Sequence, residues 1–165
     1  MSAGHRLPCS CKLHSQRSRG FTLLECMIAA AIVALLGAIA IPGYAHVIER
    51  QKLEKSVRDL HEIGMRIERY RTLNFAMPPS LASIYDPVPQ DPWGRNYRYL
   101  SFTPTFPGID GQIRKDHNLH PLNSDFDLYS VGADGESASP LTANASRDDV
   151  IWARDGAFVG IATDY

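Results

Sequence analysis

The hydrophobic and polar positions change their pattern twice along the 165 residues. From Cys26 to Ile41 the chain has no charged residue, and its apolar character begins at Phe21 and continues to about residue 48. A core helix of a soluble protein would show a polar stripe, whereas about twenty apolar residues are enough to cross a bilayer. Residues 21–48 are therefore predicted to form a transmembrane helix.

An amphipathic pattern continues the apolar run through residues 49–75. Charged residues of opposite sign are spaced four apart, as on the solvated face of a helix. We therefore predict a single helix over residues 22–74, with a bend or local unwinding at Pro42 and Gly43. The apolar positions recur every three or four residues and form one stripe: Leu53, Val57, Leu60, Ile63, Ile67 and Tyr70.

Residues 76–165 are predicted to form a small domain that covers this stripe. Proline punctuates its first part, where one helical turn is expected at residues 81–84. Short runs rich in β-branched and aromatic residues follow, and they predict an antiparallel sheet packed on the helix, an α+β fold. The predicted strands are residues 97–102, 126–131, 150–153 and 157–162.

The charge distribution separates a basic leader from an acidic remainder. Residues 1–20 contain four Lys or Arg residues and no acid, although the formal net charge of the chain is -1. A basic flank keeps that end of a membrane helix in the cytoplasm, so the domain is predicted to be exported. Because an acidic surface repels phosphate, nucleic acid is an unfavourable partner.

The three cysteines, Cys9, Cys11 and Cys26, all precede residue 27. An exported domain made of the later residues therefore contains no internal disulfide. The pair Cys9 and Cys11 could be half of a metal site, but no second pair of cysteines or histidines completes it.

The junction between leader and apolar run resembles the cleavage and methylation motif of type IV pilins and type II secretion pseudopilins. The matching stretch is GFTLLE, residues 20–25. The resemblance implies cleavage between Gly20 and Phe21 by a prepilin peptidase, followed by N-methylation of Phe21. Because a carboxylate in hydrocarbon is costly without a partner, Glu25 is predicted to meet the Phe21 amine of a neighbouring subunit and to set the filament register. The alternative is that Glu25 only reaches toward the lipid headgroups.

Two further stretches resemble the major pseudopilin of type II secretion. They are DPWGRNYRY, residues 91–99, and the region 125–156, which corresponds to a C-terminal calcium loop. The resemblance implies a backbone carbonyl ligand near Val131 and side-chain ligands from Asp134, Asp148 and Asp149, and oxygen ligands of this kind suit calcium. The alternative is that Asp134 makes a local turn and that Asp148 and Asp149 cap an element.

The resemblance implies a pilin-like fold and a structural role in secretion, not catalysis. Implied partners are other copies of the chain, minor pseudopilins, the prepilin peptidase, an inner-membrane platform with its assembly ATPase, and an outer-membrane secretin. Implied localisation is the bacterial inner membrane, with a single span, a cytoplasmic N-terminus and a periplasmic domain.

Two alternative functions remain open at the level of sequence. One is a type IV pilin for adhesion, motility or DNA uptake, although many such pilins close the corresponding region with a cysteine pair. The other is a membrane-anchored periplasmic metal-dependent enzyme that binds zinc through His117 and His120 with Asp116 and Asp125. A His-x-x-His pair needs a helical turn to converge, and Pro121 disfavours a helix there. No sequence pattern indicates a catalytic nucleophile.

Overall fold

The protein forms one long helix and a four-stranded sheet in a computed structural model that describes residues 20–102 and 111–165. Helix α1 spans Leu23–Asn74. The strands are β1, Arg98–Ser101, β2, Phe126–Ser130, β3, Val150–Ala153, and β4, Phe158–Ile161. Short 3₁₀ helices occupy Leu81–Ser83, Asn144–Ser146, Arg154–Gly156 and Ala162–Asp164. The predicted α+β class and all four predicted strands are confirmed, with strand bounds that differ by at most one residue.

Helix α1 crosses the boundary between two compact units, which lies between Gly43 and Tyr44. Its helical conformation is continuous through Pro42 and Gly43, so the predicted local unwinding is not observed at these two residues.

The second unit has its core between the amphipathic half of α1 and one face of the sheet. Leu60, Ile63 and Ile67 are almost completely buried against side chains of β2 and β3. Trp152 lies in the same core, where its ring stacks at 6.2 Å from that of Phe126. The apolar stripe predicted from the three- and four-residue spacing is thus the face of α1 that covers the sheet.

The sheet is antiparallel throughout, in the order β1-β2-β3-β4. Successive side chains of a strand point to opposite faces, yet β2 and β3 are buried at nearly every position. The reason is a second apolar cluster, which includes Leu122, Leu141 and Ile151, and which packs on the face of the sheet opposite to α1. The segment that links β2 to β3 and the segment before β2 therefore form a layer over that face, which the sequence did not predict.

Candidate functional site

The start of α1 is closed by a reciprocal pair of hydrogen bonds between Thr22 and Glu25. The backbone N–H of Glu25 donates to Thr22 Oγ1 at 3.2 Å, and the backbone N–H of Thr22 donates to Glu25 Oε2 at 3.4 Å. This arrangement is a capping box, which satisfies two backbone donors that a helix start otherwise leaves unpaired. Within one chain, Glu25 therefore has a local structural role that the sequence interpretation did not consider, although the Thr-x-x-Glu spacing indicates it.

The first half of α1 presents an apolar surface. Phe21 is 81% exposed, and Leu24, Ile28 and Ile32 are more than half exposed. Among the described residues, α1 contains a stretch long and apolar enough to cross a membrane by length and composition. Gly20, Phe21 and Glu25 lie at the head of this apolar surface, as the motif requires, while residues 1–19 lie outside the described residues.

The loop with the motif DPWG is organised by the buried carboxylate of Asp91. Asp91 Oδ1 accepts the backbone N–H groups of Trp93 at 3.1 Å and Arg95 at 2.9 Å, and Asp91 Oδ2 accepts the hydroxyl of Ser130 at 2.6 Å. Gly94 has φ 86°, a conformation that side chains disfavour. This loop is therefore tied to the end of β2, beside the candidate calcium region.

Arg95 extends from this loop to the backbone that follows β2. Its guanidinium donates to the carbonyl of Gly132 at 2.5 Å and to that of Ala133 at 3.2 Å. Gly135 has φ 78°, and a Cβ there would lie 2.6 Å from the guanidinium carbon of Arg95. The turn after β2 is thus shaped around an arginine side chain.

Two of the predicted calcium ligands accept hydrogen bonds from backbone N–H groups. Asp134 Oδ1 accepts the backbone N–H of Glu136 at 2.8 Å, which is an Asx turn. Asp148 Oδ2 accepts the backbone N–H groups of Ala133 at 2.7 Å and Asp134 at 2.9 Å. These contacts match the alternative interpretation, in which the aspartates close a turn and cap backbone groups.

Asp149 differs from Asp134 and Asp148, because its side chain is fully buried and forms an ion pair with Arg114. Arg114 Nη2 is 2.5 Å from Asp149 Oδ2, and the side chains are 2% and 0% exposed. The hydroxyl of Ser137 donates to the same carboxylate oxygen at 2.7 Å. Burial raises the pKa of the Asp149 carboxyl, and the Arg114 guanidinium and the Ser137 hydroxyl oppose that shift.

A second buried carboxylate, that of Asp127 on β2, lies near the same arginine. Asp127 Oδ2 accepts the backbone N–H of Arg114 at 2.6 Å, and Asp127 Oδ1 accepts from the side-chain amide of Asn123 at 3.3 Å. Burial raises the pKa of Asp127 to about 6, against the lowering effect of these hydrogen bonds. The sequence did not single out either residue: Arg114 lies outside every motif, and Asp127 lies in the region 125–156 without a predicted ligand role.

This side-chain arrangement does not fit a calcium site well. Calcium takes six to eight oxygens. No group of three His, Cys, Asp or Glu side chains that could hold a metal occurs in residues 20–102 and 111–165. Asp149 Oδ1 is buried without a hydrogen-bond partner, but it is a single oxygen beside a guanidinium. Calcium binding by Val131, Asp134, Asp148 and Asp149 stays a prediction of the sequence, and the described contacts do not favour it.

The predicted zinc ligands are not brought together either. Asp116 accepts the backbone N–H of His120 at 2.8 Å, whereas Asp125 pairs with Arg71 of α1 at 2.8 Å. The hydrogen bonds from His120 and Asn118 hold the pKa of the Asp116 carboxyl below its ordinary value. His120 Nδ1 lies 3.8 Å from Asp116 Oδ2, and the histidine side chain is 78% exposed. The described geometry therefore offers no support for a zinc enzyme.

Comparison with known proteins agrees with the features of the N-terminus. Residues 15–41 match the family described as the prokaryotic N-terminal methylation motif. The chain is 28% identical over 145 residues to the type II secretion system core protein G of Pseudomonas aeruginosa. The aligned region covers 75% of this chain and 89% of that protein. No solved structure matches the chain significantly.

Similar relatives occur in other bacteria. The core protein G of Klebsiella pneumoniae is 28% identical over 73% of this chain and 88% of that protein. The core protein G of Vibrio cholerae is 26% identical over 77% of this chain and 88% of that protein. The similarity extends well beyond the methylation motif into the domain, so the chain resembles the type II secretion system core protein G over most of its length.

Proposed function

We propose that this chain is a pseudopilin subunit that polymerises into a periplasmic pseudopilus and so drives protein export by type II secretion. The observation that carries the proposal is the apolar surface of α1, which begins three residues after Gly20 and stays exposed in the single chain. Apolar surface of this extent needs either lipid or another copy of the same surface to remove it from water. A subunit that moves from a bilayer into a helical filament exchanges contact with lipid for contact with the apolar helices of neighbouring subunits.

Maturation prepares the helix for this exchange. Prepilin peptidase would cut between Gly20 and Phe21 and methylate the new amine, which removes the basic leader from the apolar surface. The chain before Leu23 is not helical, so the scissile bond precedes the capped start of α1. A peptidase reaches such a bond without having to unwind the helix.

Glu25 then has two competing partners. In the single chain its carboxylate accepts the Thr22 N–H, a contact of 3.4 Å at the long end of the hydrogen-bond range. The Phe21 amine of a neighbouring subunit carries a full positive charge, so its Coulomb attraction to the carboxylate exceeds that of the uncharged Thr22 N–H, above all in the low dielectric of an apolar helix bundle. Pairing between subunits would therefore fix the axial position of one helix against the next.

The basic leader places the N-terminus in the cytoplasm and the domain in the periplasm of a single-pass inner-membrane protein. In this location the subunit would meet minor pseudopilins, the platform and assembly ATPase of the inner membrane, and the secretin. The role is mechanical and needs no catalytic centre, in line with relatives that are named as core proteins of a secretion system.

The test is a set of variants in a secretion-competent strain that lacks the native subunit. Mass spectrometry of the wild-type protein should find a chain that begins at Phe21 and carries one methyl group. Gly20→Val should stay uncleaved. Glu25→Val should be cleaved but should fail to restore secretion, whereas the control Glu136→Val, at an exposed loop position, should restore it.

Two results would contradict the proposal. Residues 1–19 still attached to mature protein would rule out the processing step. Pili on the cell surface without restored secretion would favour the type IV pilin alternative. Normal secretion by Glu25→Val would leave the pseudopilin function in place but remove the register role of Glu25.

A further inference from the structure

We propose that Arg114 takes the place of a bound divalent cation in this chain, so that the segment 131–149 is closed by a guanidinium and the domain is stable without calcium. This inference concerns the folding of the domain and does not depend on filament assembly. It rests on the contacts of Arg114, on the charges buried around it, and on a second arginine at the same segment.

Arg114 connects parts of the chain that are distant in sequence. Its Nη1 donates to the hydroxyl of Ser137 and to the carbonyl of Ala138, the latter at 2.6 Å, while Nη2 pairs with Asp149. Its guanidinium carbon lies 4.4 Å from the centre of the Tyr129 ring on β2, a cation–π distance. A single side chain thus connects the interior of the segment, at Ser137 and Ala138, and its end, at Asp149, to the sheet.

These contacts close an uncharged stretch of the segment between β2 and β3. Residues 137–146 carry no charge and include several small residues, so ordering them loses conformational entropy. Joining the ends of a loop offsets part of that cost, which is the contribution that a bound metal ion makes in other proteins. Here Ser137 at one end and Asp149 at the other meet on the same guanidinium.

The local charge also argues for an organic cation. Asp127 and Asp149 are both almost fully buried, and a buried carboxylate needs a partner of opposite charge. Arg114 supplies that charge at 2.5 Å from Asp149 Oδ2. Calcium binds its oxygens at about 2.3–2.6 Å, so an ion on the Asp149 carboxylate would lie close to the positive guanidinium and be repelled by it.

Arg95 occupies two carbonyl oxygens directly after Val131. The carbonyls of Gly132 and Ala133 accept hydrogen bonds from its guanidinium, and Asp148 Oδ2 is engaged by two backbone N–H groups. Two arginines and the backbone thereby engage these carbonyls and the Asp148 and Asp149 carboxylates.

The first experiment needs no variant. The full chain in detergent micelles is melted in EDTA and in millimolar calcium chloride, and unfolding is followed by near-ultraviolet circular dichroism of Trp93 and Trp152. We expect melting temperatures that agree within about 1 °C, and no stoichiometric calcium in equilibrium dialysis. A rise of several degrees in calcium, or one ion bound per chain, would overturn the inference.

The second experiment removes the cation. Arg114→Met should lower the melting temperature by on the order of 10 °C, because loss of one partner leaves a buried charge unpaired. The matched control is Arg147→Met, at an exposed arginine of the same segment, and it should shift the melting temperature by no more than about 2 °C. Equal effects of the two substitutions would also overturn the inference. If Arg114→Met does not fold, the wild-type comparison in EDTA and calcium still decides the question.

Discussion

The indole N–H of Trp93 donates to Glu49 Oε1 at 2.8 Å, which joins the DPWG loop to helix α1 across 44 residues of sequence. Lys52 approaches the other carboxylate oxygen of Glu49 at 3.1 Å. The hydrogen bond from Trp93 and the charge of Lys52 hold the pKa of Glu49 below its ordinary value of 4.5. The loop that organises the end of β2 is therefore anchored to the helix by a hydrogen bond that is stronger when the glutamate is ionised.

Removing this bond should lower stability modestly. A hydrogen bond to a charged group contributes about 1.5–3 kcal/mol, and partial exposure reduces this to about 1 kcal/mol. Glu49→Gln, Trp93→Phe and the double variant form a cycle whose coupling energy, measured by denaturant unfolding, should be about 1 kcal/mol. The depressed pKa stabilises the fold above pH 4.5, and this contribution should be lost as the pH falls through the lowered value. Additive effects of the two substitutions would show that the bond contributes nothing.

Gly64 is predicted to be intolerant of alanine although it lies inside a helix. A Cβ at this position would overlap the six-membered ring of Trp152, which packs directly over the glycine. Alanine is favoured over glycine in a helix by about 1 kcal/mol, but overpacking a core costs about 1–3 kcal/mol. Gly64→Ala should therefore lower the melting temperature by several degrees, whereas Met65→Ala, at a side chain that is 70% exposed, should leave it nearly unchanged. A more stable Gly64→Ala would show that Trp152 moves aside without cost.

The buried carboxyl of Asp127 should make stability depend on pH in the opposite sense to Glu49. Its pKa rises from 3.8 to about 6, so the folded state binds a proton that the unfolded chain releases. The contribution to stability is complete below pH 3.8 and is lost as the pH rises through about 6, and it amounts to on the order of 3 kcal/mol.

The measurement for Asp127 is the slope of the unfolding free energy between pH 4 and pH 6. Asp127→Asn cannot titrate, so its slope should be smaller than that of the wild type, whatever its absolute stability. Burial also raises the pKa of Asp149, which acts in the same direction and should leave some slope in the variant. If the unfolding free energies of the wild type and of Asp127→Asn changed with pH in parallel, the result would contradict the raised pKa of Asp127.

Asp148 is predicted to stabilise the turn after β2 by capping and not by binding an ion. Its carboxylate accepts the N–H groups of Ala133 and Asp134, and loss of such a cap costs about 0.5–2 kcal/mol. Asp148→Ala should accelerate hydrogen exchange at these two amides, by the same factor in EDTA and in calcium. Exchange that slows in calcium for the wild type alone would indicate a metal ligand instead. Glu136→Ala is a suitable control, because its side chain is exposed in the same segment.

The sequence was informative wherever a periodic pattern reports a local structure. The stripe that includes Leu60, Ile63 and Ile67 predicted the buried face of α1, and a short run of β-branched and aromatic residues predicted β3 with its bounds unchanged. The methylation motif and the apolar run predicted the membrane helix, and comparisons confirmed the motif. These features depend on residues that are close together in the sequence, so they can be predicted from the sequence alone.

Only the tertiary structure decided which partners the buried charges have. The resemblance predicted Asp149 as a calcium ligand, and no sequence pattern indicated that Arg114, 35 residues earlier, reaches its carboxylate. Nothing in the sequence places Arg114 beside Tyr129 or Arg95 beside Gly132, since each contact joins segments that are distant along the chain. Sequence spacing encodes what a helix or a strand does by itself, whereas the pairing of charges inside a domain depends on how those elements pack in three dimensions.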